Sequence, residues 1–531
     1  METFDYIIVG GGTAGCILAN RLTANGKYRV LLLEAGGEPK SMWIKIPAGF
    51  SKLLVNPIYN WRFFSEPEPN TYGRKISIPR GKGLGGSTLI NGMIYVRGQH
   101  QDYDHWEKLG AKGWGAAGVM PYFKKFENYL LGADDRGRQG PMGIHEVSER
   151  YELTNSFLRA AQSKGYPLNS DYNSQVQDGF CYYQVSQKNG QRWSVYDGYL
   201  KPARSRSNLV IEKNAHVLRL EVDGTTCQGV TFRQNHQDKT VYAKMEVIMA
   251  AGAIQTPQIL ELSGIGNPEL LKQYGIPVKV ASPYVGENYI DHYATRMNWK
   301  IKNTLTINET SRGLHLVKAV INYFTKRRGI LTLGTGLVGG FVKTKAELAT
   351  PDVQYFVMTA SYADASKRIL DTHPGLTIGV AQLRPKSVGS IHIKANDPYV
   401  EPRISPNFLA EKEDQEALIG GMKIAREIMA DQQLAKFVDA EKSPGLTVAN
   451  DDAWLDFARE NGQTIYHPIG TCKMGEDERA VVDSRLKFKG MTKLRVVDAS
   501  IMPTIVSGNT QAAVMMIAEK ASDMILEDAS R

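Results

Sequence analysis

The sequence predicts an α/β fold in two interleaved parts, and three observations predict it. From Phe4 to Glu34 the chain reads as strand, glycine turn, helix and strand. At 531 residues the chain exceeds the size at which one hydrophobic core stops growing. Strand-like and helical segments then mix along the chain, with no linker, repeat or low-complexity tract to separate them.

The elements follow in order. Phe4 and Tyr6 to Val9 form an apolar run ending at Gly10, as a buried parallel strand does. Ala14, Ile17, Leu18, Arg21 and Leu22 keep helical spacing, and Asn25-Gly26 supplies the stop. A second buried run, residues 30–33, ends in Glu34. Strand-like runs recur at 209–211, 217–222, 230–232 and 247–250, with Asp223-Gly224 as a hairpin turn. A helical pattern covers 257–262, and strands are expected near 376–382 and 390–393. A helix over 412–429 carries Leu418, Met422, Ala425 and Ile428 on one face. The C-terminal stretch returns to glycine turns, a buried strand at 494–497 and a final helix.

Composition narrows the class. Hydrophobic residues at 42%, charged at 22% and aromatic at 9% exclude disorder, collagen and coiled coil. Four scattered cysteines without a CxxC exclude a disulfide framework and a thiolate metal site, so no metal is expected and a reducing, cytoplasmic compartment is. No apolar run approaches a spanning helix, and the N-terminus lacks a basic, apolar leader. The net charge of +9 is dispersed, unlike the concentrated face of a nucleic-acid protein. Its densest patch, Lys326-Arg327-Arg328, reads as a solvated loop, with weak peripheral contact at the inner face of a membrane as the alternative.

Gly10-Gly11-Gly12-Thr13-Ala14-Gly15 is a GxGxxG after a strand and opening a helix. Its first glycine permits the tight turn, its second lets backbone approach a pyrophosphate, and its third lets helix pack on strand. Glu34, followed by Ala35, ends the second strand at the distance from Gly15 where a carboxylate binds ribose hydroxyls. An acid there disfavours a 2′-phosphate, which selects NAD or FAD over NADP. A second glycine cluster runs from Gly81 through Gly85, Gly86 and Asn91 to Gly92. It lacks the GK[ST] ending of a P-loop and suits close backbone contact with a planar or phosphorylated ligand.

With these motifs, the chain resembles the glucose-methanol-choline family of flavin oxidoreductases. The resemblance runs through six blocks in order: the N-terminal fingerprint, 81–98, 252–266, Val285-Gly-Glu-Asn-Tyr-Ile-Asp-His292, Tyr466-His-Pro-Ile-Gly-Thr471, and Val497-Asp-Ala-Ser500 with Gly508-Asn-Thr510. It implies FAD, held by a discontinuous Rossmann-like domain (1–155, 205–300 and 455–531). A substrate domain (156–204 and 301–454) would be built on an antiparallel sheet with flanking helices. By this resemblance Glu34 holds the adenosine ribose, Val217 contacts adenine, and Asn91, Gly92, Met93 and Ile94 approach the isoalloxazine. Asp498 and Ala499 lie at the ribityl-phosphate region, and Thr510 and Gln511 belong to the same FAD-binding set. Members with covalent flavin place a histidine where this chain has Ile90, so noncovalent FAD is expected.

Of ten histidines, His100, His105, His145, His236 and His315 sit in polar stretches and read as surface residues, and His292 reads as structural. His467 differs: the proline after it biases it away from helix, on the irregular backbone where site residues concentrate. By the resemblance it is the general base, and Asn509 is its partner. Asn509 precedes the final helical pattern, so a helix cap is the alternative role. The implied reaction is oxidation of a primary alcohol (aliphatic, aryl or polyol) to the aldehyde, by hydride transfer to flavin N5 with a quinone-type acceptor. An oxygen-using alcohol oxidase or a choline dehydrogenase are the near alternatives. A hydroxynitrile lyase or a non-enzymatic flavoprotein stands farther off.

Overall fold

The computed structural model describes residues 2–364 and 369–531, so Met1 and 365–368 of the two expected domains lie outside the described residues. Two seven-stranded sheets organise the chain. The first starts with β1 (Glu2–Val9), α1 (Thr13–Thr23) and β2 (Val30–Glu34). It continues with β3 (Leu209–Lys213), β4 (His216–Asp223), β5 (Thr226–Gln234) and β6 (Gln237–Met249). The order is β3-β2-β1-β6-β5-β4, and Leu494–Val496 adds a parallel strand beside β6. β1 pairs parallel with both β2 and β6, and every residue of β2 is buried. Burial on both faces is why these strands read as unbroken apolar runs.

Two elements are longer than the sequence pattern. β6 covers 13 residues rather than 247–250, because its first half is a polar ribbon paired with β5. Such a ribbon carries no hydrophobic period. The helix expected at 257–262 is α2 (Gly252–Leu262), with Pro257 inside it. Proline marks a helix start more often than an interior, since it removes the N–H that the carbonyl one turn back requires. Here that carbonyl, of Ala253, accepts from Thr471 Oγ1 at 2.6 Å instead.

The second sheet is antiparallel throughout. It orders β7 (Tyr293–Ile301), β8 (Val338–Val342), β9 (Val353–Met358), β10 (Gly375–Gln382) and β11 (Val438–Ser443) as β11-β7-β10-β9-β8, with Gly179–Tyr182 outside β8. α3 (Lys412–Met429) lays Leu418, Met422, Ala425 and Ile428 into its core, the face that the periodicity marks. α4 (Gln511–Asp528) returns to the first core beside α1. Val195, Tyr199, Leu200 and Ala203, which the sequence groups with the substrate side, join that first core as well. Buried Glu519 of α4 binds Arg21 of α1 at 2.6 Å and the Tyr199 hydroxyl at 2.6 Å, fastening three distant segments together. No helix among the described residues is long and apolar enough to cross a membrane.

Candidate active site

A cavity of about 340 Å³ runs between the two sheets, from the end of β2 to the His467 loop. Gly10, Gly12, Thr13, Ala14, Glu34, Ala35 and Val217 line its first-sheet end. Gly81, Gly86, Asn91, Gly92, Met93 and Ile94 line its middle together with Asp498, Ala499, Thr510 and Gln511. His467 and Asn509 close the far end, where the second sheet supplies Arg296, Phe356, Met358 and Thr377. Gly15 and Gly85 stand behind the wall. A Cβ on Gly15 would lie 1.8 Å from the Gly10 carbonyl oxygen, so this glycine lets α1 sit directly on the turn. Gly85, at φ +112°, donates its N–H to Gly11 O at 2.8 Å and couples the two glycine loops.

Glu34 reinforces that coupling. Its carboxylate accepts from the N–H groups of Gly11 (2.8 Å), Gly36 (2.7 Å) and Gly83 (3.0 Å), and burial raises its pKa. Asp498 has a similar double duty. It accepts from Gly252 N at 2.9 Å at the start of α2, from Thr256 Oγ1 at 2.7 Å and from Ser500 N at 2.8 Å. Asn91 is held by the buried Arg192, whose Nη1 donates to Asn91 Oδ1 at 2.6 Å and to Thr88 O at 3.1 Å. Asn91 in turn donates to Gln511 and accepts from Met93 N at 3.2 Å, where Met93 adopts φ +65°. A non-glycine residue there needs surrounding contacts to hold it.

At the far end His467 is fixed by its backbone before its ring does anything. Tyr466, at φ +73°, offers its carbonyl to Arg80 and its N–H to Thr464 Oγ1 at 2.7 Å. His467 N–H donates to Asp291 Oδ1 at 2.8 Å, and the other Asp291 oxygen accepts from Thr464 (2.5 Å) and Tyr289 (3.0 Å). Burial pushes the Asp291 carboxyl up to about 6.

The imidazole then sits in a chain that assigns its proton. His292 Nε2 lies 3.1 Å from Leu383 O, and His292 Nδ1 lies 3.0 Å from His467 Nδ1. A carbonyl only accepts, so His292 Nε2 carries the hydrogen and His292 Nδ1 is a lone pair. His467 Nδ1 must therefore donate, which leaves His467 Nε2 unprotonated. Burial pushes His292 down to about 4. Burial, with His292 and Arg80 nearby, holds His467 well below the usual histidine value. Both rings are neutral at physiological pH.

Asn509 Nδ2 donates to His467 Nε2 at 3.2 Å, and Gln354 Nε2 donates to Asn509 Oδ1 at 3.3 Å. The Asn509 side chain faces the His467 imidazole, and no side chain caps α4. The helix-cap reading of Asn509 thus gives way to an imidazole–amide pair. Gln354 carried no sequence signal, and His292, read from the sequence as structural, is a second imidazole against the first. The DH dipeptide at 291–292 was the available hint.

FAD fits this cavity. A Cβ built on Gly12 meets nothing within 4 Å, so the turn is open toward the cavity. α1 and α4 both begin at its wall without a side-chain cap or an acidic residue in the first turn. Uncapped N–H groups and the positive helix end are the complement of a pyrophosphate and of negative charge on a reduced flavin. Among the described residues no cluster of His, Cys, Asp and Glu is placed to hold a metal.

Comparison with known proteins follows the same outline. The GMC oxidoreductase N-terminal model matches residues 4–294, and the C-terminal one matches residues 385–518. The chain is 38% identical to a mitochondrial choline dehydrogenase of Homo sapiens, over 99% of its length and 90% of that protein. It is likewise 38% identical to an alcohol dehydrogenase [acceptor] of Pseudomonas putida, over 98% and 96%. Among solved structures it superimposes on formate oxidase of Aspergillus oryzae with a TM-score of 0.93 at 27% identity, covering 100% of this chain and 99% of that one. Pyridoxine 4-oxidase from Mesorbium loti gives 0.89 at 29%, covering 98% of both.

Proposed function

The chain belongs to the GMC oxidoreductases, FAD flavoproteins of the alcohol-dehydrogenase kind, and from that premise we propose that it oxidises a neutral primary alcohol to the aldehyde with His467 as base. The observation that carries this reading is the hydrogen-bond chain from Leu383 through His292 to His467, which leaves one basic nitrogen beside Asn509. FAD, when bound, accepts the hydride that leaves the carbinol carbon.

The chain's own residues do the rest. His467 Nε2 takes the hydroxyl proton as the C–H bond weakens. The imidazolium that forms keeps its Nδ1–H on His292. Asn509 Nδ2 turns a hydrogen to the developing alkoxide, while Gln354 holds its carbonyl away from that oxygen. Glu34, Gly12 and the N-terminus of α1 would hold the adenosine and pyrophosphate end, with Val217 against adenine. Asn91 to Ile94 and the start of α4 would hold the isoalloxazine. Ile90 offers no nucleophile for covalent attachment, which favours releasable FAD. The flavin side is assigned to 1–155, 205–300 and 455–531, with 195–203 added by packing, and the substrate side to the remainder.

Choline is the weaker substrate reading. A quaternary ammonium requires an acidic or aromatic enclosure. Among the described cavity residues the carboxylates are Glu34 and Asp498, and both are engaged by backbone N–H groups of the first domain. The wall carries Arg80 and Arg296 beside the rings of Phe356, Tyr362 and Tyr466, so the reading rests on the two arginines and the engaged carboxylates, not on a lack of aromatic rings. We assign electron transfer to a quinone-type carrier, with oxygen as the alternative acceptor. Anaerobic mixing with a panel of neutral alcohols and choline tests the assignment. Flavin bleaching by neutral alcohols, with slow reoxidation by air and fast reoxidation by a quinone, is expected; bleaching by choline alone would overturn it.

A further inference from the structure

The helix Gly313–Lys326 has Tyr323 as its one buried residue. Leu314, Val317, Ile321 and Phe324 recur along one stripe, at 80%, 53%, 58% and 52% exposure, and Leu316 and Val320 widen it. His315, Lys318, Asn322 and Thr325 form a polar stripe beside it. An isolated helix of 14 residues is marginal in water, and an exposed apolar face of this size marks an interaction site.

The charge around it names the partner. Arg312, Lys318, Lys326, Arg327 and Arg328 cluster on and beside the helix, and no Asp or Glu occurs between Glu309 and Glu347. Among the described residues none of these five cations pairs with a carboxylate. Against a second copy, a twofold contact would press this patch on itself and stack cation on cation. An anionic bilayer surface takes both features at once: acyl chains receive the apolar stripe, and lipid phosphates receive the cations. At about 1.5 Å per residue the helix is too short to span a hydrocarbon core and lies in its plane.

We propose that Gly313–Lys326, with Arg327 and Arg328, docks this protein peripherally on anionic phospholipid membranes. This inference does not depend on the proposed substrate. Thr335, shortly after these cations in the chain, lines the cavity, so the docked face is also next in sequence to the cavity wall.

Co-sedimentation of the purified holoenzyme with phosphatidylcholine vesicles, with and without phosphatidylglycerol, tests it at low and high salt. Binding to the anionic vesicles alone, weakened by salt, is expected. Lys318→Ala, Lys326→Ala and Arg328→Ala should each weaken it roughly fivefold. A triple variant, Leu314→Ser with Val317→Ser and Phe324→Ser, should abolish it while FAD content and turnover with a soluble dye stay unchanged. No binding at low salt, equal binding by the variants, or a dimer that the triple variant dissociates would each overturn the proposal.

Discussion

At the residue scale the site is a relay of hydrogen-bond assignments that ends in one basic nitrogen. His467→Ala should slow anaerobic flavin reduction by about 10²–10⁴-fold, with FAD content nearly unchanged, as stopped-flow absorbance on the FAD-replete variant would read. His292→Leu removes the acceptor that fixes the His467 tautomer. It should cost on the order of 10²-fold in the same measurement, although His292 touches no substrate. The buried charges also set a pH dependence of stability. Below pH 6.5 the unfolded chain binds protons that His292, pushed down to about 4, and His467, held well below the usual histidine value, refuse, while folded Asp291 keeps one below about 6 that the unfolded carboxylate releases. Among these three groups the unfolded state binds the excess, so their contribution to stability falls as the pH drops below 6.5. Thermal melts of wild type and His292→Leu against pH should diverge there, with the variant less sensitive. His467 and Asn509 were legible because each sits in a local motif with a glycine or proline beside it. Gln354 was not, because it lies on β9 and meets Asn509 only through tertiary packing.

At the element scale the two glycine turns differ in what their missing side chains permit. Gly15→Ala should destabilise the fold by about 1–3 kcal/mol, since its Cβ would drive α1 off the Gly10 carbonyl. Gly12→Ala should melt like wild type as apoprotein, because nothing stands within 4 Å of the added methyl, yet lose FAD. Thermal melts paired with flavin absorbance separate the two. Glu34→Ala should lose both FAD and stability, because its carboxylate holds three loop amides as well as facing the cavity. β1, α1 and β2 were legible for a physical reason: burial on both faces imposes a composition. The polar half of β6 and the first turn of α2 were not. The former is stabilised by its β5 partner, and the latter by Asp498 and Thr471 from the far C-terminal part of the chain.

At the scale of the whole molecule both sheets draw on separated stretches of chain, and the cavity lies where they meet. In the sequence such separated stretches leave only the absence of a linker, and the packing of 195–203 on the first core leaves no local sign there at all. The last parallel strand, Leu494–Val496, and α4 both complete a core that begins with β1. Glu519 is the point at which that closure is fastened, to Arg21 and Tyr199. The order of synthesis acquires a meaning from this. A nascent chain emerging from the ribosome has its glycine turn early, but the wall that faces it, Asp498 to Gln511, is made far later. Flavin uptake must therefore wait until α4 has emerged, and a nonsense mutation anywhere before Gln511 should leave a colourless, protease-sensitive product.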